Sequence, residues 1–424
     1  MQDTSRTIQV YADWQGLAPT SFMGYLHSQR IKGKEVFSFE YCKEWLHNGF
    51  PHLLDPSLQL YSGRHFLQSE QANFGIFLDS SPDRWGRVLM RRREAAMARK
   101  EGRPENQLFE TDYLLGVYDE SRMGAVRFKI SKEASFLNGN ADMASPPWTS
   151  LQKLEQVSLK LEEENVTEEP EYLQWLNLLI APGSSLGGAR PKASVVDKTG
   201  ALWIAKFPSK KDSDDMGAWE FVTYELALAC GICMSESKAQ KFSSPYHTFL
   251  SKRFDRTNSK ERLHFSSAMT MLGYSDGQDT GDGVSYLELV DFLQRNGANV
   301  EQDLRELWTR IIFYICVSNT DDHLRNHGFL LTKQGWILSP AYDINPNETG
   351  AGLKLNISET DNALELELAR EVGKYFRLSP EDMQEIIAKV TTEVKKWRQV
   401  ATKYGISRSE QELKAAAFQV AYWS

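Results

Sequence analysis

Ile311-Ile312-Phe313-Tyr314-Ile315-Cys316-Val317, followed by Asn319-Thr320-Asp321-Asp322-His323-Leu324-Arg325-Asn326, is the stretch on which the fold of this chain turns. The apolar run reads as a buried helix. Directly after it, Asp321, Asp322, His323 and Asn326 crowd into a few positions. Buried charge is costly unless it is paired or bound to metal, so this placement needs a reason. Gly328-Phe329-Leu330-Leu331 and Trp336-Ile337-Leu338 flank Gln334-Gly335 and read as a hairpin. Asp343 follows its second strand. Asn326 and Asp343 are therefore expected at the two ends of a short hairpin, close together. Both offer hard oxygen ligands, which suits Mg²⁺. His323 raises zinc as an alternative. Its carboxylate and amide neighbours, with no thiolate, favour a histidine that braces the loop by hydrogen bonds.

Three further signals precede this loop in order. Gly183-Ser184-Ser185-Leu186-Gly187-Gly188-Ala189-Arg190-Pro191-Lys192 is rich in small residues. Such residues let backbone N–H groups approach a phosphate, and Ser, Arg and Lys add donors and charge. It matches neither a Walker loop nor G-x-G-x-x-G, and alone it reads as a plain loop. Next, 193–196 and 201–207 read as two strands joined by a turn at Asp197-Lys198-Thr199-Gly200. The second strand carries Lys206 within an apolar run, where burial is costly without a partner. The choice lies between an edge-strand lysine reaching water and a lysine pairing nucleotide phosphates. A helix then follows, capped by Asp214-Asp215 and ended by Gly231. Glu220 is the expected partner of Lys206, with Glu225 in reserve. Asp321 and Asn326 stand five residues apart. That is the spacing of the protein-kinase catalytic loop, where the Asp orients and deprotonates the acceptor hydroxyl and the Asn holds Mg²⁺.

Composition sets the frame. The chain has 424 residues, 41% hydrophobic and 11% aromatic, with a formal net charge of −8. It is ordinary globular protein, large enough for two or three domains. The negative balance argues against a nucleic-acid footprint over the whole surface. Met1-Gln2-Asp3-Thr4-Ser5 lacks a basic-then-apolar signal pattern, and no apolar run approaches the ~20 residues of a membrane span. A cytoplasmic protein with no membrane partner is expected. Cys230 and Cys233 have C-x-x-C spacing, but no second pair or nearby His completes a zinc site, so free thiols are expected. No G-x-S-x-G elbow supports a hydrolase. Residues 1–130 read as an α+β subdomain and 131–170 as a linker with a short helix near 151–161. Beyond 302 the chain reads as mainly helical, with helices over 361–372 and 380–401. Asp79-Ser80-Ser81-Pro82-Asp83 signals a helix start. The helix it opens carries Arg84, Arg87 and Arg91 on one face with Arg92 and Arg93 beside them. These form either a solvated face or a contact for an acidic partner or DNA backbone.

Taken in order, these motifs resemble the HipA-type serine/threonine kinases, the toxins of bacterial toxin–antitoxin pairs. In the core the resemblance rests on Ser185–Lys192, Ile204-Ala205-Lys206-Phe207-Pro208, Arg253-Phe254-Asp255-Arg256, Asn319–Asn326 and Ser339-Pro340-Ala341-Tyr342-Asp343. Towards the N-terminus it rests on Phe77–Arg87 and Asp112-Tyr113-Leu114-Leu115-Gly116-Val117. It covers nearly the whole chain. It implies an α+β, bilobal, protein-kinase-like fold, with an N-lobe over 171–258 and a mainly helical C-lobe over 259–424. It implies Asp321 as catalytic base, Asn326 and Asp343 as Mg²⁺ ligands, and Lys206 on ATP phosphates. Gly187, Gly188, Lys192, Glu220 and His323 would belong to the same nucleotide site. The hinge Ser251-Lys252-Arg253-Phe254 would meet adenine through its backbone. Ser185 matches a loop serine that such kinases autophosphorylate, and the adjacent Ser184 leaves that serine ambiguous. Lys252, where an acid often stands, and Arg190-Pro191 inside the loop depart from better-known members. The resemblance also implies a HipB-like helix-turn-helix antitoxin, with DNA reached only through it. Its implied substrate is a translation protein such as an aminoacyl-tRNA synthetase. The alternatives are a non-catalytic co-repressor scaffold and a small-molecule phosphotransferase on the same fold.

Overall fold

The structure is a computed structural model that describes residues 5–17, 19–47, 50–67, 71–139, 144–163, 166–180, 188 and 190–423. The chain divides into two compact units: residues 1–210 with 252–266, and residues 211–251 with 267–424.

In the first unit, β1 (Ser5–Ala12), β2 (Ser21–Ile31), β3 (Lys34–Tyr41), β4 (Arg64–Phe66) and β5 (Val126–Lys129) form an antiparallel sheet in the order β4-β3-β2-β1-β5. Period-two patterning builds it: Ile8, Val10 and Ala12 are buried, while Gln9 and Tyr11 between them are not. Strand β2 passes so close to β3 that a Cβ on Gly24 would lie 2.1 Å from the Glu40 carbonyl oxygen. Glycine is required there by contact. Phe77, on the short helix Gly75–Asp79, packs against Phe39 and Phe128 beneath the sheet.

The expected helix start falls later than its first signal. Asp79 ends the Gly75–Asp79 helix, and Asp83 caps the next, Arg84–Glu101, accepting from the Gly86 N–H at 2.8 Å. Pro82 therefore precedes the cap instead of occupying the first turn. Gly102, at φ 65°, closes the helix with bonds to the Ala98 and Arg99 carbonyls. Part of its basic face is engaged. Arg87 makes a bidentate pair with Glu110 at 2.5 and 2.7 Å, and Arg92 donates to the Leu161 carbonyl, while Arg84 and Arg91 are exposed. A short helix, Leu151–Lys160, forms where expected. The expected hairpin is β6 (Lys192–Val196) and β7 (Leu202–Lys206), with Lys192 opposite Lys206. Its turn is held by Asp197 Oδ1, which accepts from Thr199 N, Thr199 Oγ1 and Ala201 N.

In the second unit the Met216–Cys230 helix is capped by Asp215, which accepts from Ala218 N, and ended by Gly231 at φ 88°. Both boundaries are those read from the sequence. Strands β8 (Ser237–Gln240) and β9 (Thr248–Lys252) pair antiparallel. The Val300–Val317 helix is buried continuously from Leu307 to Val317. The hairpin of Gly328–Leu331 and Trp336–Leu338 follows, Phe329 facing Leu338. Helix Leu366–Val372 starts later than expected. Residues 361–363 are engaged elsewhere: Ile357 N donates to the Asp361 carbonyl and Leu353 N to that of Asn362. The expected helix over 380–401 is two, Pro380–Val394 and Trp397–Lys403. The turn between them lets the buried Trp397 stack on Phe418 at 4.4 Å. All four cysteines are free. Among the described residues no helix is long and apolar enough to cross a membrane.

Candidate active site

In the second unit the Val300–Val317 helix ends at Ser318, whose φ of 51° turns the chain sharply into the polar loop. Asp321 is exposed and Asp322 is buried, so adjacent carboxylates face opposite environments. Asp322 accepts from His327 Nε2 at 2.8 Å and, by a very short bond, from the Tyr286 hydroxyl. Burial, with Asp322 adding to it, pushes the Tyr286 hydroxyl far above its ordinary pKa, so it stays a neutral donor. This clamp pins the loop to the Tyr286–Asn296 helix and leaves Asp321 facing outward.

The segment carrying Asp343 is tied to the same loop at several points. Tyr342 Oη donates to the Arg325 carbonyl at 2.8 Å, Asn345 N to Asn319 Oδ1 at 3.1 Å, and Asn347 Nδ2 to Thr320 Oγ1 at 2.7 Å. Asp343 itself sits at φ 59°, a conformation costly for a residue with a Cβ. The neighbours of Asp343 thus bond to the neighbours of Asn326, and Asp321, Asn326 and Asp343 belong to one bonded cluster. Asn326 is buried. Its Nδ2 donates to the Asp321 carbonyl at 3.1 Å, whereas its Oδ1 is buried with no hydrogen-bond partner among the described residues. A buried amide oxygen without a donor costs about 1–3 kcal/mol. A hard cation would relieve that cost. Among the described residues no three His, Cys, Asp or Glu converge as a metal cage. A Mg²⁺ site does not need one, because Mg²⁺ keeps waters and takes few protein oxygens alongside phosphates.

His323 does not brace the loop as expected. Its Nδ1 is buried without a hydrogen-bond partner among the described residues. Asp322 and His327 do the bracing, a role the sequence reading did not give them. Glu220 is buried on the Met216–Cys230 helix. Glu225 is removed from the reserve, since Lys403 holds it at 2.9 Å and the Tyr404 hydroxyl bonds it as well.

In the first unit Lys206 ends β7 and is half-buried. Lys192 is 4% exposed, and its ammonium lies 2.8 Å from both Asp83 Oδ2 and the Gly188 carbonyl. Trp85 Nε1 donates to the Lys192 carbonyl at 3.1 Å. Lys192 therefore anchors the end of the Gly-rich segment to a helix cap. Asp83 serves both sides, one oxygen capping Gly86 and the other holding the lysine. Gly183, Ser184, Ser185, Leu186, Gly187 and Ala189 lie outside the described residues. The Arg253 side chain is buried in an ion network with Asp255, and its backbone N–H bonds the Leu202 carbonyl. Phe254 packs its ring 5.7 Å from that of Phe265.

The family pattern of the HipA-like C-terminal domain matches residues 184–398. A protein of Haemophilus influenzae named as a kinase is 26% identical over 207 residues, covering 43% of this chain and 60% of that protein. The serine/threonine-protein kinase toxin HipA of Shewanella oneidensis is 28% identical over 145 residues, covering 30% of this chain and 33% of the toxin. The match thus spans less than two thirds of either relative. The solved Shewanella oneidensis HipA, in complex with HipB and its operator DNA, superposes with a TM-score of 0.62 at 20% identity, covering 95% of this chain and 94% of that one. The fold is therefore the mixed α/β, kinase-like fold expected from the motifs.

Proposed function

The chain belongs to the HipA-like C-terminal domain family, and from that premise we propose that it is an ATP- and Mg²⁺-dependent serine/threonine protein kinase of the HipA type. The observation that carries this reading is the buried Asn326 Oδ1, without a hydrogen-bond partner among the described residues, in a cluster with Asp321 and the strained Asp343. Polar atoms left unsatisfied in a native core call for an explanation, and a bound cation supplies one. Asn326 and Asp343 would hold Mg²⁺, which when bound neutralises phosphate charge. Lys206 would pair with ATP phosphates, and Glu220 would be its carboxylate. The backbone of Arg253 and Phe254 would meet the adenine. Asp321 would align the acceptor hydroxyl and take its proton. Its exposure beside a rigidly clamped Asp322 suits that task.

The parallel with HipA supports three further assignments: a helix-turn-helix antitoxin partner, growth-arresting toxicity through a translation protein, and autophosphorylation at Ser185 or Ser184. Asp321→Asn tests the core of the reading. Transfer of radiolabelled γ-phosphate should fall by about 10³-fold, within the range of general-base catalysis, while nucleotide binding persists. Undiminished transfer would remove Asp321 from the mechanism.

A further inference from the structure

The first unit holds a cavity of about 280 Å³ whose lining includes Arg253, assigned above to adenine through its backbone, but none of Lys206, Asp321, Asn326 and Asp343. That is close to the lower end of the range for small-molecule sites. Four cations line it: Lys252, Arg253, Arg256 and Lys260. Glu120 is the one carboxylate in the lining, and it faces Arg127 at 3.3 Å and Arg262 at 3.8 Å. Arg253 and Arg256 give their N–H groups to Asp255 and to backbone carbonyls, including those of Ser121 and Arg122. They contribute field to the cavity more than hydrogen bonds.

The lysines differ. No carboxylate lies within salt-bridge distance of the Lys260 ammonium among the described residues, and it lies over the turn, 2.2 Å from where a Cβ on Gly200 would be. Gly200, at φ 82°, carries no Cβ and leaves that space to the ammonium. The Tyr118 hydroxyl at the wall has no hydrogen-bond partner among the described residues. Val196, Leu202 and Ala144 complete an apolar side. Behind the wall, burial pushes the Arg256 guanidinium downward from its ordinary pKa, and Arg262 and Arg253 add to this despite Asp255.

We propose that this cavity binds a small organic anion. Its carboxylate or phosphate head is held by Lys252, Lys260 and Tyr118, and its carbon body rests on Val196 and Leu202. The inference is independent of phosphate transfer, so either can fail alone. Isothermal titration of the full chain with citrate, and separately with inorganic phosphate, at low ionic strength tests it and distinguishes the two head groups. At least one anion should bind at one equivalent. Lys260→Glu should weaken that binding at least ten-fold, and Lys252→Ala should weaken it too. Lys206→Ala should leave it unchanged, which separates anion binding here from phosphate binding at Lys206. Failure of both anions to bind, binding by Lys260→Glu within two-fold of the unsubstituted chain, or loss in Lys206→Ala would each overturn the proposal. Circular dichroism confirms that each variant is folded.

Discussion

Asp255 and Asp321 are both polar residues in turns beside apolar elements, yet the protein treats them in opposite ways. Asp255 is fully buried and saturated: Arg253 Nε donates at 2.8 Å, Arg256 Nη1 at 2.6 Å and Gly124 N at 2.8 Å. Burial alone would raise its carboxyl. Arg253 and Arg256 outweigh it and hold the group down at about 2. Asp321 is exposed, and beside it lies a buried oxygen, Asn326 Oδ1, that none of the described residues satisfies. A saturated cluster holds structure together. An unsatisfied one keeps capacity for a ligand, at a cost the rest of the fold must offset. The lesson is that the count of charges in a motif says less than whether their hydrogen bonds are already used.

The largest effect expected from this contrast is on stability. Asp255→Ala leaves two buried guanidiniums unpaired and should cost about 3–5 kcal/mol in urea unfolding. Asp321→Asn should cost under about 0.5 kcal/mol, because its site is exposed. Equal losses in the two variants would break the comparison. Acid should reveal Asp255 as well. Its folded pKa lies below the unfolded value, so its contribution is present above roughly pH 4 and is lost as pH falls towards 2. The next effect is at Asp322, which belongs to the saturated class although it sits in the catalytic loop. Tyr286 and His327 both donate to Asp322 Oδ2, so Asp322→Ala removes the acceptor of both bonds at once, at about 2–3 kcal/mol. Phosphate transfer by the folded variant should fall about ten-fold as the loop loosens. An unchanged melting temperature would show that Tyr286 and His327 do not clamp the loop.

Much of this was legible in the sequence, and the omissions have physical causes. The hairpins at β6–β7 and at 328–338 follow from alternation and turn residues, and the Met216–Cys230 helix from its Asp and Gly ends. The Asp321-to-Asn326 spacing and the downstream Asp343 were visible because they are local. The partners were not. Nothing near Lys192 in the chain points to Asp83, which lies over a hundred positions away and already had a role as a cap. The same holds for Asp322, whose partner Tyr286 lies on another helix. His323 was credited with bracing because it stands in the loop, yet His327, beyond the motif, reaches the carboxylate. The helix start at Leu366 and the break at Lys395 differ from the sequence reading because backbone bonding and the seating of Trp397 override local propensity.

Asp303 sharpens the comparison with the smallest expected effect. It sits in the first turn of the Val300–Val317 helix and is 6% exposed, with Oδ2 accepting from Leu338 N at 3.1 Å. A carboxylate there gains up to about 1 kcal/mol from the helix dipole. Burial opposes it, Glu306 adds to the opposition, and the group is pushed up to about 6 in spite of Arg310. Burial therefore wins. A folded pKa above the unfolded value means that its stabilisation is fully present below about pH 4 and is lost as pH rises through 6. Asp303→Asn keeps an acceptor for Leu338 N and removes the charge. It should add about 1 kcal/mol at pH 7 and flatten the stability curve between pH 4 and 6, read from urea midpoints at each pH. Parallel curves for the two proteins would mean that Asp303 is ionised without penalty. The Leu338 N–H would then satisfy the charge by itself, and a single backbone donor would place a buried carboxylate in the saturated class with Asp255.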